Sequence, residues 1–207
     1  MNILLIFLCG SGLSFSRTES LLHEWCGILL FALVIVHLVW NRKWFIGVFR
    51  GKYNTNRILI TVTDIMLIVL ILMIAVSAMV ISGYVFSFLE LQGAAWDRRI
   101  HFAGTAWLFL LSGIHFGMHI KTEKRNIVLY IAAAGGIAAF VVCRFYERMI
   151  LLNEFAFIPS VPSWVVYLLH ALMFGTFMCI GSEIKRLTTK KRKKHGEGRY
   201  QKGIYIS

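Results

Sequence analysis

Four histidines in this chain form two pairs with matched spacing. His23 and His37 stand 14 residues apart, and so do His101 and His115. In a helix, 14 steps of about 100° fall about 40° short of four full turns, so the members of each pair share a face. Along the axis they lie about 21 Å apart. Two imidazoles facing each other across neighbouring helices can saturate a haem iron, an arrangement suited to electron transfer rather than oxygen binding. The spacing therefore predicts two bis-histidine haem b sites at two depths. If the two helices run parallel, His23 faces His101 and His37 faces His115, and these four are the expected iron ligands.

The neighbours of these histidines fit the same chemistry. Gly27 lies one turn from His23 and Gly104 one turn from His101, while Gly113 and Gly117 flank His115. Small residues let a flat macrocycle approach the backbone, and they equally serve ordinary helix contacts in membranes. Arg98 and Arg99 sit just outside His101, and Arg42 and Lys43 just beyond His37. Those are the depths at which haem propionates need cations, although charge flanking a membrane span explains these residues equally well. His119 follows His115 by one turn and competes with it as inner ligand. Its 18-residue separation from His101 matches nothing on the other helix, so His115 is preferred and His119 is left as a propionate or quinone neighbour.

Asp64 is a carboxylate inside an apolar run, able to orient an imidazole or relay a proton to a quinone. Stabilisation by a helix N-terminus accounts for it equally well. His170, without a partner of matching depth, is expected to make a structural hydrogen bond, and His195 belongs to a basic tail. Glu90, Asp97, Glu147 and Glu154 read as solvated loop carboxylates that could also release protons.

The elements that must position these groups are membrane-spanning helices. Of 207 residues, 58% are hydrophobic and 15% charged. Crossing about 30 Å of hydrocarbon takes about 20 apolar residues, and six apolar runs reach or approach that length, near residues 2–16, 20–41, 58–82, 99–120, 127–150 and 163–184. The first is short, and is expected to be retained as a span rather than removed as a signal peptide. The expected fold is all-α: a bundle of about six transmembrane helices over residues 1–186 with a four-helix di-haem core, then a basic tail at 187–207. An AAAGG run at 132–136 reads as a close-packing surface.

Alternate connections collect 17 of the 22 Lys and Arg residues on one side of this bundle. The positive-inside rule makes that side, and both termini, cytoplasmic. The net charge of +12 follows from this bias and from the tail KRLTTKKRKK. A juxtamembrane cluster of that kind is attracted to anionic lipid, and with no nucleic-acid-reading module in the chain no nucleic-acid partner is expected. Cys9, Cys26, Cys143 and Cys179 all fall in apolar runs without paired spacing, as free buried thiols do.

The strings HEWCGILLFALVIVHLVWNRKWF and RRIHFAGTAWLFLLSGIHFGMHIK resemble those of di-haem membrane cytochromes b, in which two parallel helices each supply two histidines. They also resemble a bacterial family of small multi-span membrane proteins, over most of the chain from the second span to the sixth. The resemblance implies a b-type cytochrome domain in a bacterial plasma membrane and assigns no substrate. The chain departs from that family in its shorter first span.

The expected function is electron transfer across the bilayer, linking quinol or a cytoplasmic reductant to a partner redox protein. No catalytic residues are assigned, since no flavin or nicotinamide motif and no extramembrane catalytic domain is present. Oxidoreductase activity would rest on a partner or a diffusible acceptor. The competing expectation is a metal or proton transporter using the same histidines, although neither internal repeats nor broken helices are evident.

Overall fold

The computed structural model describes residues 20–91, 93, 95–120, 127–152 and 160–204, with the backbone alone for 20, 127–129, 132 and 190–204. The expected span at 2–16 lies outside the described residues. Helix α1 covers Ser20–Trp40, α2 Arg42–Val48, α3 Thr55–Ile81, α4 Ala95–His119, α5 Ile127–Val142, α6 Phe145–Met149 and α7 Ser163–Ile204, with a 3-10 turn at Ser87–Leu89. Four of them are long and apolar enough to cross a membrane: Leu21–Trp40, Thr55–Ile81, Ala95–His119 and Ser163–Thr189. The protein is thus an all-helical membrane protein.

Local chemistry explains where these helices start and stop. The Asn54 side chain accepts the Arg57 backbone N–H at 2.9 Å, satisfying one of the free donors at the start of α3. Arg57 also binds the α2–α3 turn, donating to the Arg50 carbonyl at 2.6 Å and the Lys52 carbonyl at 3.3 Å and stacking 4.3 Å over the Tyr53 ring. The expected span 127–150 is interrupted. Arg144 adopts a left-handed conformation with φ 49°, which ends α5 and turns the chain into the short α6. Helix α5 is correspondingly short, 16 residues. The last helix does not stop at the basic tail but runs on through it to Ile204, as lysine and arginine, good helix formers, permit.

Three contacts establish the helix directions. Glu24, near the start of α1, accepts hydrogen bonds from Ser82 Oγ (2.7 Å), Gly83 N–H (2.9 Å) and Val85 N–H (2.8 Å), just past the end of α3. Helices α1 and α3 are therefore antiparallel. At the opposite end, Thr188 Oγ1 of α7 lies 3.3 Å from Asn56 Oδ1 at the start of α3. Tyr130 of α5 donates to Glu183 of α7 at 2.8 Å. Helices α1, α4 and α7 run one way, and α3 and α5 the other. One end of the bundle holds the close of α1 and α4 with the basic residues around Arg42–Arg57 and Lys185. The other holds Glu24, Arg98, Arg99, Arg144 and Arg148.

The tightest packing joins α4, α5, α6 and α7. Ala106, Phe109, Ala139, Cys143, Phe145, Met173, Phe174 and Phe177 form its centre. Small residues make this possible, because van der Waals contact rather than expulsion of water drives association in lipid. A Cβ on Gly117 would stand 2.1 Å from the Met178 carbonyl oxygen, one on Gly181 2.1 Å from that of Ile114, and one on Gly136 2.3 Å from that of Leu172. The Thr176 hydroxyl donates to the Ala133 carbonyl at 2.9 Å across the last of these contacts, so the AAAGG run is the close-packing surface its composition suggests. A smaller cluster of Ile71, Ile74 and Leu108 joins α3 to α4, with Phe31 and Val34 of α1 against it. No residue from Leu21 to Trp40 is fully buried, so α1 is the loosest wall of the bundle.

Candidate functional site

The four paired histidines lie on the facing sides of α1 and α4. At the outer end, the rings of His23 and His101 are 6.0 Å apart with their planes at 75°. Two imidazoles on one ion, each bonded at about 2 Å, have ring centres separated by about this distance. Nδ1 of His101 is buried without a hydrogen-bond partner. Gly27, one turn from His23, has nothing within 4 Å of where a Cβ would be, so the α1 wall is open there. Gly104 differs: its Cβ position is 2.9 Å from Ile74 Cγ1, and it packs on α3 rather than facing the gap. Gly113 and Gly117 likewise face α7, serving helix packing and not the histidine face.

At the inner end, His37, His115, His119 and Asp64 line one cavity of about 340 Å³ with Ser112, Trp44 and Phe116 among its other walls. That is within the size range of small-molecule sites. Asp64 Oδ1 lies 2.8 Å from Nδ1 of His115, but the two are not aligned as a hydrogen bond, and both atoms, like Nδ1 of His37, are buried and unsatisfied. The His119 ring stands 4.6 Å from that of His115 at 49°. Asp64, His115 and His119 each offer a ligand atom within 4.8 Å of the others, with His119 the exposed member.

Buried polar atoms in native proteins nearly always have partners, and His170 shows the ordinary case. Its Nδ1–H donates to the Val166 carbonyl at 2.8 Å while its ring packs against Phe109 and Phe145. It is a structural histidine, as its isolation in sequence suggests. Nδ1 of His37, of His101 and of His115 lacks that satisfaction.

The arginines are distributed less simply. Arg98 is exposed in the first turn of α4, and Arg99 sits 5.6 Å from the Trp96 ring. Arg42 is exposed at the first position of α2, while its neighbours Asn41 and Trp44 reach the inner cavity. Beside the helix segment of His101 stands a cation that sequence reasoning passed over. Arg148 of α6 donates from Nε to the Phe102 carbonyl (3.2 Å) and from Nη2 to Thr105 Oγ1 (3.0 Å), on either side of one turn beyond His101. The Glu24 clamp, which fixes the α1 backbone next to His23, also went unread. A single glutamate at a helix start carries no such signal until Ser82–Val85 is brought to it.

Of the loop carboxylates, Glu147 is buried and ion-paired with Arg144, and Glu154 lies outside the described residues. Cys26, Cys143 and Cys179 form no disulfide among the described residues. Compared with known proteins, the chain matches no family model, no curated protein and no solved structure.

Proposed function

We propose that this protein is a membrane b-type cytochrome that carries electrons across the bilayer between two bis-histidine haems. The observation that carries this reading is the coincidence of two imidazole pairs at two depths on parallel helices, with Nδ1 of His37, His101 and His115 buried and without a hydrogen-bond partner. His23 and His101 hold the outer group and His37 and His115 the inner one. A haem ligated by two imidazoles supplies one-electron chemistry with no iron position left open. The chain's own residues do the rest. The Glu24 clamp keeps His23 at the depth of His101. Asp64 turns the His115 ring by attraction to Nδ1, fixing which nitrogen faces the gap between α1 and α4.

The exposed edge of the Asp64, His115 and His119 cluster, at His119, suits a quinone next to the inner haem, with quinol or a cytoplasmic reductant as donor and a partner redox protein as acceptor. The bias of basic residues toward the inner end supports a cytoplasmic placement of that end and of the termini, in a bacterial plasma membrane, with the basic extension of α7 along anionic lipid.

One observation favours a second reading. The Asp64, His115 and His119 cluster could hold a divalent ion, as a metal or proton transporter would require. A dithionite-reduced minus oxidised spectrum of purified protein, with haem quantified per chain, separates the two. The cytochrome reading expects about two low-spin b-type haems per chain. Folded protein without haem absorption that binds zinc would replace it with the transporter.

A further inference from the structure

The outer pair has a cation beside it that the histidine argument does not use. Arg144 turns the chain sharply, and α6 then carries Arg148 under the first turns of α4. Its guanidinium donates to the Phe102 carbonyl and the Thr105 hydroxyl and lies 4.5 Å from the Phe102 ring. Those contacts are with neutral groups. No carboxylate among the described residues pairs with it, since Glu147 next to it is taken by Arg144. Phe102 directly follows His101 and Thr105 lies one turn on, so the guanidinium stands beside the helix segment that carries the outer imidazole.

An arginine presents five N–H donors in a planar fork that matches a carboxylate, and here at least two donors remain over. A cation withdrawn from water without a counter-charge is costly, and in membrane proteins such a residue marks a site. The outer imidazoles are the nearest candidate site. Arg98 and Arg99, at the head of the same helix, instead lie at the surface or against Trp96.

We propose that Arg148 binds a carboxylate of the group held between His23 and His101, the propionate edge of the outer haem, and so raises the electron affinity of that haem. This rests on the cytochrome reading above. A fixed positive charge favours the reduced form, which carries one positive charge fewer, so its removal moves the couple toward oxidation. Arg148 thereby contributes to the difference between the two haems, since no Lys or Arg is found among the described residues that line the inner cavity.

The test is a spectroelectrochemical titration of purified wild type, R148Q and R148K, with H23A identifying the outer couple. R148Q is expected to shift the outer couple about tenfold toward the oxidised form, about 59 mV for one electron, and to leave the inner couple in place. R148K, which keeps charge but not the fork, is expected to retain most of the wild-type potential. Loss of the outer haem in R148Q with its retention in R148K supports the same assignment. An unmoved outer potential in R148Q overturns it, as does loss of the outer haem in both variants, which would mark Arg148 as a packing residue for Phe102 and Thr105. Wild-type protein without haem would instead overturn the parent reading, and this one with it.

Discussion

Asp64 and His115 come from different helices and meet 2.8 Å apart at the wall of the inner cavity. A carboxylate against an imidazole nitrogen is the arrangement that orients a ligating histidine and raises its basicity. Asp64→Asn, nearly isosteric, is expected to lower inner-haem retention about 10–100-fold while the outer haem stays. Haem content after dilution into apomyoglobin, resolved with the H23A and H37A backgrounds, reads this directly. Equal loss at both sites would mean that Asp64 supports the bundle and not the ligand.

The same contact ranks the two candidate inner ligands. Asp64 lies against Nδ1 of His115, whereas His119 is the exposed edge of the cluster. His115→Ala is therefore expected to remove the inner low-spin signal, and His119→Ala to preserve it. The reverse result would reassign the ligand and turn the pairing with His37 by one helical turn.

Glu24 receives three hydrogen bonds from the segment after α3. Bonds to charged groups contribute about 1.5–3 kcal/mol each when sheltered, less where solvent screens the carboxylate. Glu24→Ala is expected to weaken α1 docking by about 1–2 kcal/mol and to raise hydrogen exchange in α1 without affecting α7. Unchanged protection in α1 would show that its contacts with Ile71 and Leu108 suffice.

The glycines separate packing from open space. Gly117→Ala and Gly136→Ala drive a methyl into backbone carbonyls, and each is expected to cost about 1–3 kcal/mol by thermal unfolding in detergent. Gly27→Ala meets nothing and should leave the thermal midpoint unmoved. A stability loss at Gly27 comparable to that at Gly117 would place α1 closer to its neighbours than described.

Directions of the helices can be checked by labelling. In a background lacking native cysteines, Asn54→Cys and Ser87→Cys lie beyond opposite ends of α3 and should react with an impermeant thiol reagent from opposite faces. Labelling from one face alone would dismantle the parallel pairing.

The histidine face, the starts of most long helices and the alternation of directions were legible because each depends on local periodicity or on charge counted along the chain. Residues 20–41, 58–82 and 99–120 lie within a few positions of the helices found. The break at Arg144 was not legible, since a left-handed residue that is not glycine leaves no compositional trace. Arg148 was hidden with it: as part of one long helix it would sit at the rim, and only the turn brings it to Phe102. Gly104 and Gly113 left two neighbours open for a similar reason, and both meet a helix. A small residue says that something approaches closely, and whether that is a cofactor or another helix is decided by the third dimension.

The loosely held α1 also bears on the order of events during synthesis. The first imidazole of each pair precedes its partner by 78 residues, so neither pair exists until α4 has been translated. The better-packed contacts belong to helices made later, α4 with α5 and α7, while the earliest described helix waits with no fully buried residue. Of the walls around the gap, α1, tied at Glu24 to the segment after α3, is thus the one with the least buried contact to give up.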